Sequence, residues 1–260
     1  MAIQAGLLGR MSLTFFNREA HNKGQPPRSS KPLCIQHYHP WSLKRESRLI
    51  QIMEHHNHPW EVIFRTEGRV FQKPFPRFSE VVDTFLENGC QRILDLGCGS
   101  GRHTVHLAKA GFMPIGMDIS YSGLQMTRAW LLSEKLEAGT VLADMREPFP
   151  FRDETFDAVF STQVIHHAFL AKIRGSIQEI WRVMSSNALA FITVSARMDR
   201  GEKVEMVEPG TFVPLTGSEA GLPHHIFSEK EWKKELNTFQ IIDISIRAEG
   251  KVMTSLVRKL

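Results

Sequence analysis

The sequence predicts an α/β protein built on an open, largely parallel sheet with helices on both faces. Three observations carry that expectation. From position 79 to 195, short apolar runs alternate with amphipathic segments of about 10–16 residues, the rhythm of β-α-β units. A buried-strand pattern, Arg92 to Leu96, runs straight into three alternating glycines, Gly97, Gly99 and Gly101. Carboxylates, Asp118 and Asp144, stand at the ends of the next two strand-like runs.

The elements follow in order. Val81, Val82, Phe85 and Leu86 fit one face of a helix beginning near Ser79, and Gly89 suits its end. After the strand Arg92 to Leu96, Val105 to Ala110 lies in a helix stopped by Gly111, and Met113 to Asp118 reads as a second strand. Ser120 is placed to cap a helix marked by Leu124, Leu131 and Leu132. Val141 to Ala143 is a short third strand and Phe156 to Ser161 a fourth. Phe169, Ile173, Ile177, Ile180, Trp181 and Met184 recur at helical spacing, and Leu189 to Val194 is a fifth strand. Residues 196–227, rich in Gly and Pro, break the rhythm as an irregular insertion. Ser228 and Glu231 form a capping box, and Ile241 to Ile246 with Val252 to Arg258 close the chain as a hairpin-like pair of strands.

Charge is uneven. Residues 1–50 hold 8 Lys and Arg against 2 Asp and Glu (+6), while residues 51–260 hold 24 against 26 (−2). The basic character therefore belongs to the leading segment, whereas a nucleic-acid enzyme more often carries it on the substrate-holding body. Residues 1–35 read as an irregular basic leader with a Pro/Ser-rich break at 25–32, and an organellar presequence stays open. Residues 36–78, dense in His and aromatic residues, read as a cap over the sheet; Trp60, Phe64 and Phe71 form a candidate lid, with Arg69 available to an anion. No apolar run approaches the roughly 20 residues of a membrane helix, so neither a membrane span nor a membrane partner is expected. Cys34, Cys90 and Cys98 have no paired spacing, which indicates reduced thiols and a cytoplasmic setting.

The glycine bend is the chemical centre. Glycine supplies positive φ and lets a ligand approach the backbone closely, and ligands of open parallel sheets bind at this carboxyl edge. A dinucleotide fingerprint is G-x-G-x-x-G; here the spacing is G-x-G-x-G, and Arg102 stands where the last dinucleotide glycine would fall. Asp95 adds a carboxylate that would repel a pyrophosphate and tolerate a cationic sulfonium. Asp118 is suited to accept from ribose hydroxyls and Asp144 from an adenine amino group.

With these residues in the order Asp95-Leu96-Gly97-Cys98-Gly99-Ser100-Gly101, then Asp118, then Asp144-Met145, the chain resembles the class I methyltransferases, and within them the type 11 group. The resemblance covers roughly residues 75–195. It implies a Rossmann-like three-layer αβα sandwich, a mostly parallel seven-stranded sheet with an antiparallel last strand, and S-adenosylmethionine as cofactor. The cofactor contacts it implies are Asp95, Gly97, Cys98, Gly99, Gly101, Asp118, Ile119, Asp144, Met145 and Gln163. One departure is Ser185-Ser186-Asn187-Ala188, where relatives usually carry Lys-Pro-Gly-Gly; Ser and Asn still form turns.

Methyl transfer from a sulfonium is an in-line displacement in which alignment does most of the work. Where the acceptor must lose a proton, the candidate bases are His166 and His167 after the fourth strand and His224 and His225 at the end of the insertion. Imidazole also suits zinc, copper and nickel, but spacing alone argues for no metal site and none is assigned. The expected acceptor is a small molecule; a tRNA or protein acceptor and a non-catalytic cofactor-binding module remain as alternatives.

Overall fold

The computed structural model describes residues 58–198, 203–247 and 249–260. The parallel core is β1 (Arg92–Leu96), β2 (Met113–Asp118), β3 (Gly139–Leu142), β4 (Phe156–Thr162) and β5 (Met184–Ser195). It continues into β9 (Phe239–Arg247) and β10 (Val252–Lys259), giving the order β3-β2-β1-β4-β5-β10-β9. β10 runs antiparallel to both β5 and β9, so the last strand is inserted against the direction of the parallel core. Among the described residues no helix is long and apolar enough to cross a membrane.

Apolar residues on both faces of the central strands create two cores. On one side, α2 (Phe78–Glu87) and α3 (Arg102–Lys109) enclose Val81, Phe85, Ile93, Leu107, Phe160 and Phe191. On the other, α5 (Leu170–Val183) and α6 (Glu229–Glu235) enclose Leu94, Val159, Ile177, Ile180, Ile192 and Trp232. α4 (Tyr121–Ser133) packs beside β2 and β3, and α1 (Pro59–Glu67) lies against α4. His58 caps α1 by accepting the Trp60 N–H, with Pro59 at the first turn where its missing N–H costs nothing.

Several elements differ in extent from the sequence-based expectation. Leu86 and Leu132 face solvent rather than the core, and the stripe through α5 is narrower than its spacing suggests because Phe169 and Trp181 lie at its exposed margins. Met184 is already β5, not helix. The third strand covers Gly139–Leu142, earlier than Val141 to Ala143. The expected turn at Ser185–Asn187 is absorbed into β5 as an irregularity in its pairing with β4, with Asn187 at φ 65°. The capping box is half made: Ser228 accepts from the Glu231 N–H, while the Glu231 carboxylate turns to His225.

The largest difference is the insertion. Instead of an irregular loop, β6 (Val204–Glu208), β7 (Thr211–Pro214) and β8 (His224–His225) form a small antiparallel sheet. Alternating β-formers on either side of Pro209-Gly210 are a hairpin signal, and Gly210 takes the φ of 81° that such a turn needs. The expected leader, Cys34 and the residues of the cap before His58 lie outside the described residues. Cys90 and Cys98 are both free and buried.

Asp95 sits inside the joint between β1 and α3. It is fully enclosed and accepts a 2.6 Å hydrogen bond from the Thr104 hydroxyl. Burial pushes its pKa up to about 7, against the pull of Thr104 and nearby Arg102. The unfolded carboxyl ionises near 3.8, so between these values the folded state holds the extra proton and stability falls as pH rises. Asp95→Asn is expected to remove this slope, of up to about 1.4 kcal/mol per pH unit for one proton, from urea midpoints recorded between pH 4 and 8. Phe160, fully buried on β4 with ring centroids 4.7 Å from His103 and 5.3 Å from Phe191, tests the core. Phe160→Ala is expected to cost about 3–5 kcal/mol, read as a lower urea midpoint at unchanged slope.

Candidate active site

β1 pairs with β2 on one side and β4 on the other, so the chain runs outward from β1 through β2 to β3 and then crosses back to β4 on the opposite side. That switch point leaves a crevice at the carboxyl ends of the strands. Here it is a cavity of about 460 Å³, within the roughly 300–1,000 Å³ typical of ligand sites.

Its floor is the glycine bend. Gly97, Gly99 and Gly101 have φ of 72°, 54° and 92°, a region that side-chain-bearing residues seldom occupy. Packing imposes the same demand. A Cβ at Gly97 would collide with Val164, one at Gly99 would come within 2.7 Å of the Phe64 ring, and one at Gly101 within 2.9 Å of Thr127. Thr127 on α4 also donates to the Gly99 carbonyl. The bend is thus a closely fitted wall whose open side faces the cavity.

Asp118, at the end of β2, holds that wall in place. One carboxylate oxygen accepts the Gly99 N–H at 2.7 Å and the other the Ser120 N–H at 2.8 Å. Burial pushes its pKa up to about 6, while these two amides draw it back down. Each oxygen retains a further lone pair, and the residue lines the cavity. Ser120 in turn caps α4 by accepting the Gly123 N–H. Its hydroxyl donates to Glu61 of α1, which also accepts the Ser122 N–H and hydroxyl. This buried carboxylate clamps α1 over the bend and brings Phe64 onto Gly99.

The remaining wall combines several elements. Asp144 and Met145 face the cavity after β3. Asp144 accepts from the Arg146 side chain through both oxygens; burial opposes its charge, but the Arg146 hydrogen bonds outweigh that and hold its carboxyl below the ordinary range. Gln163 follows β4 at φ 58° and is held by the Thr193 hydroxyl, which accepts both its N–H and its side-chain amide. Arg102, at the start of α3, lies 5.1 Å over Phe71 and donates to Thr162. Burial lowers its pKa without discharging a guanidinium, so it offers positive charge to the cavity beside a helix N-terminus.

The structure gathers most of the residues expected to bind cofactor: Gly97, Cys98, Gly99, Asp118, Ile119, Asp144, Met145 and Gln163 all line the cavity. Asp95 and Gly101 do not. Asp95 turns inward to Thr104, and Gly101 serves as the N-cap position of α3 against Thr127. The carboxylate at the bend is therefore Asp118, not Asp95. Arg69 is also elsewhere, stacked 4.3 Å over Trp130. Glu61 carried no local signal, because its partners Ser120 and Ser122 are about 60 positions away. Arg102 was visible only as the residue that breaks the dinucleotide spacing.

The histidines divide unevenly. His166, His167 and His224 meet at the cavity, whereas His225 points into the small sheet, bonded to Thr211 at 2.7 Å and 3.3 Å from Glu231. His225 is thus structural, and its backbone N–H ties β8 to the carbonyl of His166. Nor do the other three titrate near neutrality as expected of bases. Burial drives His166 down to about 3 and His224 to about 4, and it holds His167 well below its ordinary value. Burial thus disfavours the charged form of all three.

This geometry agrees with known proteins. Residues 94–192 match the model of a methyltransferase domain family. The 18S rRNA (guanine-N(7))-methyltransferase of Schizosaccharomyces pombe is 44% identical over 73 residues, 28% of this chain and 26% of its own length. The malonyl-[acyl-carrier protein] O-methyltransferase of Legionella pneumophila is 32% identical over 145 residues, 53% of this chain and 46% of its own. The chain thus spans less than half the length of either curated relative. An S-adenosylmethionine-dependent methyltransferase of Methanosarcina mazei superposes with a TM-score of 0.60 at 21% identity, covering 72% of this chain and 99% of that one. Its likeness is one of fold. Residues 94–192 are thus similar to a methyltransferase domain, and the fold is one shared with solved S-adenosylmethionine-dependent methyltransferases.

Proposed function

We propose that the chain transfers the methyl group of S-adenosylmethionine to a small molecule held in the same cavity. The observation that carries this reading is the cover over the glycine bend. α1, with Trp60 and Phe64, and the small sheet, through His224 and Ile226, close over the crevice together with Phe71 and Phe75. A concave, aromatic-lined site of this size suits a small acceptor better than a duplex or a folded protein surface.

The residues fit the cofactor. Asp118 keeps acceptor capacity for the ribose hydroxyls, and Asp144 with Met145 flanks the adenine. Gly97 and Gly99 let the methionine portion lie against the backbone, and Arg102 with the α3 N-terminus receives its carboxylate. Gln163 walls the side toward the acceptor. Bound there, S-adenosylmethionine supplies a methyl group already activated on a sulfonium. The chain's own part is then to align the acceptor with that methyl and exclude water, where orientation can contribute about 7–11 kcal/mol. His166, His167 and His224 offer ring nitrogens on the side of the acceptor.

A second reading, an RNA acceptor, draws on the rRNA-modifying relative and on the +6 balance of residues 1–50. Labelled cofactor incubated separately with a metabolite extract and with total RNA separates the two. Label in the metabolite fraction is expected; label confined to RNA would overturn the small-molecule reading. Calorimetry with S-adenosylhomocysteine tests the site itself, and no heat at millimolar ligand would sink the cofactor assignment. Asp118→Ala and Arg102→Ala are each expected to weaken binding by at least about tenfold, a loss of roughly 1.4 kcal/mol or more. Because the Asp118 carboxyl ionises near 6, affinity is expected to be flat above pH 7 and to fall below pH 6 by up to about tenfold per unit. Asp118→Asn should abolish that dependence.

A further inference from the structure

Three histidines from two distant segments converge at the acceptor end of the cavity. His166 and His167 lie in the turn after β4, and His224 opens β8. Their ring centroids are 4.1 Å apart for His166 and His167, 4.6 Å for His167 and His224, and 6.0 Å for His166 and His224. One ring nitrogen from each lies within 4.8 Å of the others. The segments are tied together by backbone: His225 N–H donates to the His166 carbonyl at 2.8 Å, and Phe227 N–H to the Ser195 carbonyl at 2.9 Å.

A packing cluster would be expected to satisfy its polar atoms. Here, among the described residues, Nδ1 of His166 and Nε2 of His224 are buried without a hydrogen-bond partner. Leaving such a nitrogen unmatched is unfavourable, and buried exceptions of this kind call for a ligand or a function. Glu219 stands beside the trio, its Oε2 3.4 Å from His224 Nε2 without hydrogen-bond geometry, but outside the group of mutually close donors. In a tetrahedral site with metal–ligand bonds of about 2.0–2.1 Å, neighbouring ligand atoms stand about 3.3 Å apart. The three nitrogens need to close by at most about 1.5 Å to reach that spacing.

We propose that His166, His167 and His224 form a binding site for a divalent transition-metal ion of the zinc type, with the fourth position open toward the cavity. The donor set is right for such an ion: three imidazoles and no thiolate. Three imidazoles leave the ion's charge of +2, which an anionic acceptor oxygen or sulfur in the fourth position would offset. The site's role rests on the small-molecule reading, although its existence does not. An acceptor O–H or S–H coordinated there loses its proton to solvent, and the resulting oxygen or sulfur anion attacks the sulfonium methyl. The methyl–sulfur bond breaks as the new bond forms, and the neutral thioether S-adenosylhomocysteine leaves. Coordination would lower the acceptor's own pKa, an activation that alignment alone does not supply.

The test is titration of the chelator-stripped full chain with Co²⁺, followed by visible absorption, with competition by Zn²⁺. One equivalent bound, with d–d bands of a four- or five-coordinate nitrogen and oxygen site that Zn²⁺ abolishes, is expected. His166→Ala and His224→Ala are expected to weaken Co²⁺ more than about 100-fold, beyond the about 10–100-fold typical of losing a partner outside the ligand set. His224→Cys should keep the ion and add a sulfur-to-cobalt charge-transfer band in the near ultraviolet, an effect that a packing role would not produce. S-adenosylhomocysteine calorimetry on the same samples reports folding and cofactor binding separately. Retained cofactor binding with no stoichiometric Co²⁺ uptake overturns the metal site and leaves the methyltransferase reading intact. Undiminished Co²⁺ binding in the His166→Ala, His224→Ala double variant overturns it equally.

Discussion

The site depends on one carboxylate used three ways. Asp118 ends β2, yet its oxygens are spent on the amides of Gly99, from the neighbouring strand's bend, and Ser120, from the following helix. Two consecutive β-α units are thereby joined at the point where the sheet changes direction. Charge-assisted bonds to backbone N–H groups in a buried setting are among the stronger ones a protein can make. Their cost is a carboxyl close to neutrality, held at about 6 by the burial that makes the joint rigid. A ligand donating to the remaining lone pairs meets a group already oriented by the fold, so little ordering remains to be done on binding.

Much of this was legible in the sequence because it is local. The bend at Gly97, Gly99 and Gly101, the acids closing β2 and β3, and the caps at Ser120 and Ser228 are all set by residues within a few positions of one another. Periodicity failed where burial ended. Leu86, Leu132 and Trp181 continue an apolar stripe past the edge of the core, and pattern alone carries no knowledge of where neighbouring elements stop. Orientation failed for a related reason. A residue's place on a strand fixes which side it faces only when the strand's own packing is known, and Asp95 went to the α3 joint while Asp118 took the cavity.

Non-local pairings were silent. Glu61 meets Ser120 and Ser122 across α1 and α4, and no short window contains both partners. The histidines are legible in the sequence as two separate pairs, but which three of the four meet depends on the small sheet turning His225 inward to Thr211. The hairpin of β6 and β7 was different, since Pro209-Gly210 between alternating β-formers was a readable turn that the density of glycine and proline around it masked.

α1 joins features otherwise far apart. Phe64 rests on Gly99 at the glycine-bend end of the cavity, while Trp60, one turn earlier, meets His167 at 5.5 Å at the histidine end. Nine residues thus roof both ends of the cavity, held through Glu61. Whatever displaces this single helix unroofs the two ends together.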